Sequence, residues 1–133
     1  MKHLSCVLLA GLLSACEGGM ISSVGTISDQ DARTLGPAIA EFVRLRLQPS
    51  SGAIQLDAPP GDVTLGPAVQ RALQAAGYTV APRSPHRLQY QAGALDDGVL
   101  LRLSLDGGDG ARFFLRSTQG LVASGPFSVR AAS

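Results

Sequence analysis

The sequence contains no tryptophan, one lysine, two histidines and two cysteines. So few thiols and imidazoles leave no zinc ribbon, iron–sulfur site or disulfide framework to build. Charge is equally sparse. Only 16% of residues are charged and the net charge is +1, so there is no basic footprint for nucleic acid. No apolar run reaches the roughly 20 residues that a membrane span needs. Apolar residues as such are plentiful, and a hydrophobic content of 45% excludes an intrinsically disordered chain. Sixteen glycines and eight prolines point to many turns within 133 residues, a length that suits one domain.

Met1-Lys2-His3 is a short positive start, followed by an apolar run from Val7 to Leu13 interrupted only by Gly11. Small residues then lead to a cysteine, the order of an export signal. The tetrapeptide Leu13-Ser14-Ala15-Cys16 resembles a bacterial lipobox. That resemblance implies a signal peptide over residues 1–15 and a lipidated Cys16 as the first residue of the mature chain. The lipid is covalent diacylglycerol and palmitate rather than a bound cofactor. At about 0.8 kcal/mol per buried methylene, such chains anchor a soluble domain to a membrane. An ordinary secretion signal with a chance cysteine is the alternative. Glu17 stands after the cysteine, where enterobacterial lipoproteins kept at the inner membrane tend to have Asp. The expected location is therefore the outer membrane, facing the periplasm. Cys6 would leave with the signal and Cys16 would carry lipid, so packing alone must stabilise the mature protein.

Residues 16–28 are rich in small residues and read as a flexible, lipidated tether. Residues 29–133 read as a single small α+β periplasmic domain. Ser28, Asp29 and Asp31 suit a helix start, and Leu35, Ile39, Phe42, Val43 and Leu47 follow at helical spacing. Gly36-Pro37 inside this stretch should kink the helix or delay its start. Ala53–Asp57 reads as a short strand, Leu65–Ala76 as a second helix ended by Gly77, and Tyr78–Ala81 as another short strand. Thr34-Leu35-Gly36-Pro37-Ala38-Ile39 and Thr64-Leu65-Gly66-Pro67-Ala68-Val69 nearly match. Either a helix–strand unit is duplicated, or both segments use Gly-Pro at a helix start.

The last third reads as four strands: Arg87–Leu95, Val99–Leu105, Ala111–Arg116 and Leu121–Arg130. Asp96-Asp97-Gly98 and the Asp106–Gly110 segment are the connectors, rich in residues that tolerate positive φ. Val99, Leu101, Leu103 and Leu105 alternate with Arg102 and Ser104, the pattern of a strand with one buried face. The sum is two helices packed on an antiparallel sheet, in the order α-β-α-β followed by a β-meander.

Chemistry is harder to place. His86 is the one histidine outside the signal, and it has no second histidine or cysteine with which to hold a metal. A Ser-His-Asp set could form around it, but no Gly-x-Ser-x-Gly elbow is present. Asp96-Asp97 and Asp106/Asp109 are carboxylate pairs, yet both lie in turns, where Asp is favoured for its backbone. Phe113 and Phe114 are adjacent in a strand, so one of them should be exposed or covered by another element. An exposed Phe114 flanked by Arg112 and Arg116 would suit a protein contact, because aromatic residues and Arg concentrate at hot spots. No catalytic residue, metal, nucleic acid or small-molecule substrate is expected.

The chain also resembles the TrbH family of conjugal transfer lipoproteins. The likeness lies in Leu13-Ser14-Ala15-Cys16, in Ala72-Leu73-x-x-x-Gly77-Tyr78-x-Val80 and in His86-Arg87-Leu88-x-Tyr90. It continues through Leu95-Asp96-x-Gly98-Val99-Leu100-x-Arg102-Leu103-x-Leu105-Asp106-Gly107 and Gly125-Pro126-Phe127-x-Val129-Arg130. It implies a non-enzymatic part of the mating-pair formation apparatus, a type IV secretion system, anchoring or stabilising the envelope channel. The partners expected from it are the membrane, through the lipid, and other envelope proteins of the apparatus. A periplasmic lipoprotein adaptor or activator of a cell-wall enzyme is the alternative reading.

Overall fold

Ser28 sets where the first helix begins. Its hydroxyl accepts from the Asp31 amide at 3.0 Å, and the Asp31 carboxylate accepts from the Ser28 amide at 3.3 Å. This reciprocal pair satisfies two of the amides that a helix start leaves unpaired. The computed structural model describes residues 27–130. The signal peptide, Leu13, Ser14, Ala15, Cys16 and the expected tether up to residue 26 lie outside the described residues. The last two tether residues belong to the fold instead: Ser28 caps the helix and Ile27 is buried in the core.

Helix α1 spans Asp29–Arg46 and runs through Pro37. The expected delay at Gly36-Pro37 does not occur, because the Ser28–Asp31 cap fixes the start at Asp29. Pro37 itself lies on the exposed side. A 3₁₀ turn at Pro49–Ser51 leads to strand β1 (Ile54–Asp57), then to helix α2 (Leu65–Ala75). Asp62 caps α2, accepting from the amides of Thr64, Leu65 and Gly66 at 3.2, 2.9 and 2.9 Å. The Tyr90 hydroxyl donates to the same carboxylate at 2.8 Å and so ties the helix start to the sheet. Burial pushes the Tyr90 phenol up, and the Asp62 carboxylate pushes it further.

The remaining strands are β2 (His86–Leu95), β3 (Gly98–Leu105), β4 (Gly108–Ser117), β5 (Gly120–Ala123) and β6 (Ser128–Arg130). The sheet order is β1-β2-β3-β4-β5, with β6 also on β4. The first pair is parallel and the rest are antiparallel. A parallel pair needs a crossover, and α2 supplies it. The architecture is α+β, a meander carrying both helices on one side.

Two strand expectations change. Tyr78–Ala81 is not a strand but a single bridge, Val80 to Ile54. On one side Gly77 (φ 95°) and Tyr78 close the α2 C-terminus, their amides bonding to the carbonyls of Gln74 and Leu73. On the other side Pro82 has no amide to continue a ladder. Leu121–Arg130 is likewise split. β5 and β6 lie in succession along one edge of β4, separated by Ser124-Gly125-Pro126-Phe127.

The matching Thr-Leu-Gly-Pro-Ala segments meet where the helices cross. A Cβ on Gly36 would stand 2.9 Å from the carbonyl oxygen of Ala68, so a glycine in α1 and an alanine in α2 allow the close approach. The first copy lies inside α1 and the second opens α2, and the two supply the contact between the helices. Below the helices, Leu35, Ile39, Phe42 and Val43 of α1 are fully buried with Leu65, Val69 and Leu73 of α2. They rest on Leu88, Tyr90, Ala92, Val99, Leu101, Leu103, Leu105 and Phe114.

Candidate functional site

The sheet has two faces, and the helices cover one. On the covered face, β4 approaches α1 so closely that side chains are missing from it. A Cβ on Gly110 would fall 2.3 Å from the Phe42 ring, and one on Gly108 would fall 1.9 Å from the Arg46 guanidinium. These glycines set the parity of β4: Gly108, Gly110, Arg112, Phe114 and Arg116 face α1.

That parity corrects the expected contact trio. Phe114 is 2% exposed and belongs to the core. Arg112 donates to Glu41 of α1 at 2.9 Å and to the Gly125 carbonyl at 2.6 Å. Its guanidinium lies 5.6 Å from the Phe114 ring centre and 5.1 Å from that of Phe127. Arg116 grips both oxygens of Asp31 at 3.1 Å in a fork. Asp31 is 2% exposed. Burial raises its carboxyl pKa, but the Arg116 guanidinium and the Ser28 amide outweigh burial and hold it below the usual carboxylate range. Arg112, Phe114 and Arg116 therefore fasten α1 to β4, and the aromatic residue of the expected contact is buried in the core rather than exposed.

The opposite face carries the adjacent phenylalanine. One row across the strands is Gly93, Leu100 and Phe113, and the next, toward the β2–β3 turn, is Leu95, Gly98, Leu115 and Val122. The Phe113 ring fills the space over Gly98, where a Cβ would come within 2.7 Å of it. Leu95, Leu115 and Val122 are 46%, 47% and 54% exposed. Three large aliphatic side chains thus lie together in water on one sheet face, a grouping that marks a contact surface more than scattered exposure does.

Toward the other end of the strands the same face turns polar. Its rows are Gln91, Arg102, Ala111 and Ser128, then Gln89, Ser104, Asp109 and Arg130. They floor a cleft of about 1080 Å³, walled by Asp57–Pro60 on one side and β6 on the other. Two ion pairs border it: Arg87 with Asp57, and Arg130 with Asp109 at 2.9 Å. In each, the hydrogen bond from the arginine holds the carboxyl below the usual range. Among the described residues, Arg102 at the centre has no ion-pair partner. At the far end, Asp96 and Asp97 form the exposed β2–β3 turn, also without ion-pair partners among the described residues.

His86 opens β2 and is half-buried. Its Nδ1 lies 2.6 Å from Asp106 and its Nε2 lies 3.0 Å from the Ser51 carbonyl oxygen. The Asp106 carboxylate and the Ser51 carbonyl push its pKa up, outweighing burial. Both ring nitrogens face acceptors, so the imidazolium satisfies both and neither nitrogen is free to take a proton from a serine. The ring links the turn after α1 to the Asp106–Gly107 turn, whose residues have φ of 50° and 87°.

The open-face residues were within reach of the sequence. Two-residue turns at Asp96-Asp97 and Asp106-Gly107 fix the register, and that register puts Leu95, Leu100, Phe113 and Leu115 on one side. The connector expected over Asp106–Gly110 is shorter than its composition suggests, because Gly108, Asp109 and Gly110 already belong to β4.

A family model described as conjugal transfer protein TrbH matches residues 16–132. No curated protein and no solved structure matches the chain.

Proposed function

The chain belongs to the TrbH family of conjugal transfer proteins, and from that premise we propose that it is a non-enzymatic, lipid-anchored component of the mating-pair formation apparatus that meets its neighbours through the open face of its sheet. The family match is the observation that carries the reading. The match begins at Cys16, the residue that the lipobox makes the first of the mature chain. Diacylglycerol and palmitate on Cys16 would hold the domain at the outer membrane, facing the periplasm, where it anchors or stabilises the envelope channel. The uncovered row of Leu95, Leu115 and Val122 is a surface suited to protein contact, and His86, with both nitrogens engaged, is not arranged as a general base.

Two measurements test it. Cys16→Ser is expected to abolish palmitate labelling and to remove the protein from outer-membrane fractions. Retention there with labelling intact overturns the anchor. A crosslinked pull-down of the lipidated protein from conjugating cells is expected to return subunits of the transfer apparatus. Recovery of a cell-wall synthase or hydrolase in their place overturns the channel role.

A further inference from the structure

The open face has a polarity along the strands. Its uncompensated cation, Arg102, lies at one end of the aliphatic rows, and its uncompensated anions, Asp96 and Asp97, lie at the other. Antiparallel strands rise about 3.4 Å per residue, so the Arg102 row lies about 7 Å from the Leu100–Phe113 row. The Leu95–Gly98 row lies about 7 Å on the other side, with the Asp96–Asp97 turn just beyond it.

A surface with apolar residues at its centre and opposite charges at its ends is complementary to its own copy turned end for end. We infer that the open face is covered by the open face of a second copy, related by a twofold axis midway between the Leu100–Phe113 row and the Leu95–Gly98 row, with the Asp96–Asp97 turn of each copy seated against Arg102 in the polar cleft of the other. A twofold axis there lays each Leu100–Phe113 row on the partner's Leu95–Gly98 row and sets each Arg102 against the partner's Asp96–Asp97 turn. Residue i then meets residue j, and j meets i, as an isologous contact requires. The two charge contacts come as a pair by symmetry. The cleft gives the incoming turn a concave seat with amide and hydroxyl side chains at its floor, Gln89, Gln91 and Ser104.

A lipid surface fits this face less well. The aliphatic end terminates in two carboxylates, and the face has neither lysine nor tryptophan to seat it among headgroups. The paired footprint is about 20 Å by about 20 Å per copy, below the roughly 800 Å² per partner of a standard interface. The dimer should therefore dissociate on dilution and form where copies are concentrated.

The inference deepens the reading of the open face as a protein-contact surface, and it names the contact. Leu100→Cys places a thiol beside the axis in the full chain, about 12 Å from its symmetry mate across sheets about 10 Å apart, and a bis-maleimide of that reach should link cell-envelope copies into a dimer that the parent chain does not form. Arg102→Asp should reduce the linked dimer at least fivefold, and so should Asp97→Arg with Asp96→Asn. Combining all three substitutions on Leu100→Cys should restore it. Absence of the Leu100→Cys dimer overturns the inference, as does a dimer indifferent to either charge change or a combined variant that stays monomeric. Melting temperatures of the charge variants within a few degrees of the parent exclude misfolding as the cause. If no dimer forms while Leu115→Glu still lowers transfer, the face binds a different subunit. The twofold contact then fails, and the reading of the face as a contact surface stands.

Discussion

One sheet presents two surfaces made from alternate residues of the same strands, and their contrast separates what the fold needs from what it offers. On the covered face, β4 gives up side chains at Gly108 and Gly110 so that Phe42 and Arg46 can rest on its backbone. Charges there are spent on attachment, Arg116 to Asp31 and Arg112 to Glu41. On the open face, Leu95, Leu115 and Val122 remain in water, and Arg102, Asp96 and Asp97 have no ion-pair partners among the described residues. Phe113 and Phe114, neighbours in sequence, belong to opposite surfaces, so composition along a strand says little about role until parity is known.

The comparison is broken most severely from the covered side. Phe42 is fully buried, and its ring lies over Gly110 and 5.4 Å from the Phe127 ring. Phe42→Ala should cost about 3–5 kcal/mol, read by denaturant unfolding, and should detach α1 from β4.

A smaller loss is expected at Asp31, whose carboxylate accepts from Arg116 and from the Ser28 amide. Asp31→Ala should cost roughly 1.5–3 kcal/mol, the range for hydrogen bonds to a charged group. The same site predicts the acid limb. The folded pKa of Asp31 is depressed, so its contribution is fully present above the unfolded carboxylate value of about 3.9 and is lost as pH falls through the folded value. Melting temperature against pH should fall in that window in the parent chain and be flatter in Arg116→Ala.

The open face sharpens the comparison from the other side. Leu115→Glu should change stability by no more than about 0.5 kcal/mol, as surface substitutions do. It should nevertheless lower the frequency of plasmid transfer. A large loss of melting temperature would show that the open face is part of the fold after all.

Much of this architecture was legible in the residues. Val99–Leu105 alternates, and Val99, Leu101, Leu103 and Leu105 are buried within 3%. Asp106-Gly107 turns as its composition requires. The helical stripe from Leu35 to Val43 faces the core. What escaped depended on partners distant in sequence. The trio of Arg112, Phe114 and Arg116 looked like a surface because nothing local shows that Asp31, 85 residues away, completes it. Tyr78–Ala81 has the composition of a strand, but its first residues are used in closing α2. Pro37 reads as a helix breaker, yet the cap at Ser28 and the core contacts of α1 override one missing amide. The open face was hidden because strands with apolar residues at both parities do not declare which side the helices take.

The interruption between β5 and β6 bears on a hazard of such sheets. Ser124-Gly125-Pro126-Phe127 sits where a continuous strand would present an unbroken ladder to a neighbouring chain, and β5 and β6 are left as segments of four and three residues. Short, broken edges are poor templates for strand addition. Copies brought close together would be discouraged from growing sideways into fibrils by strand addition along this edge.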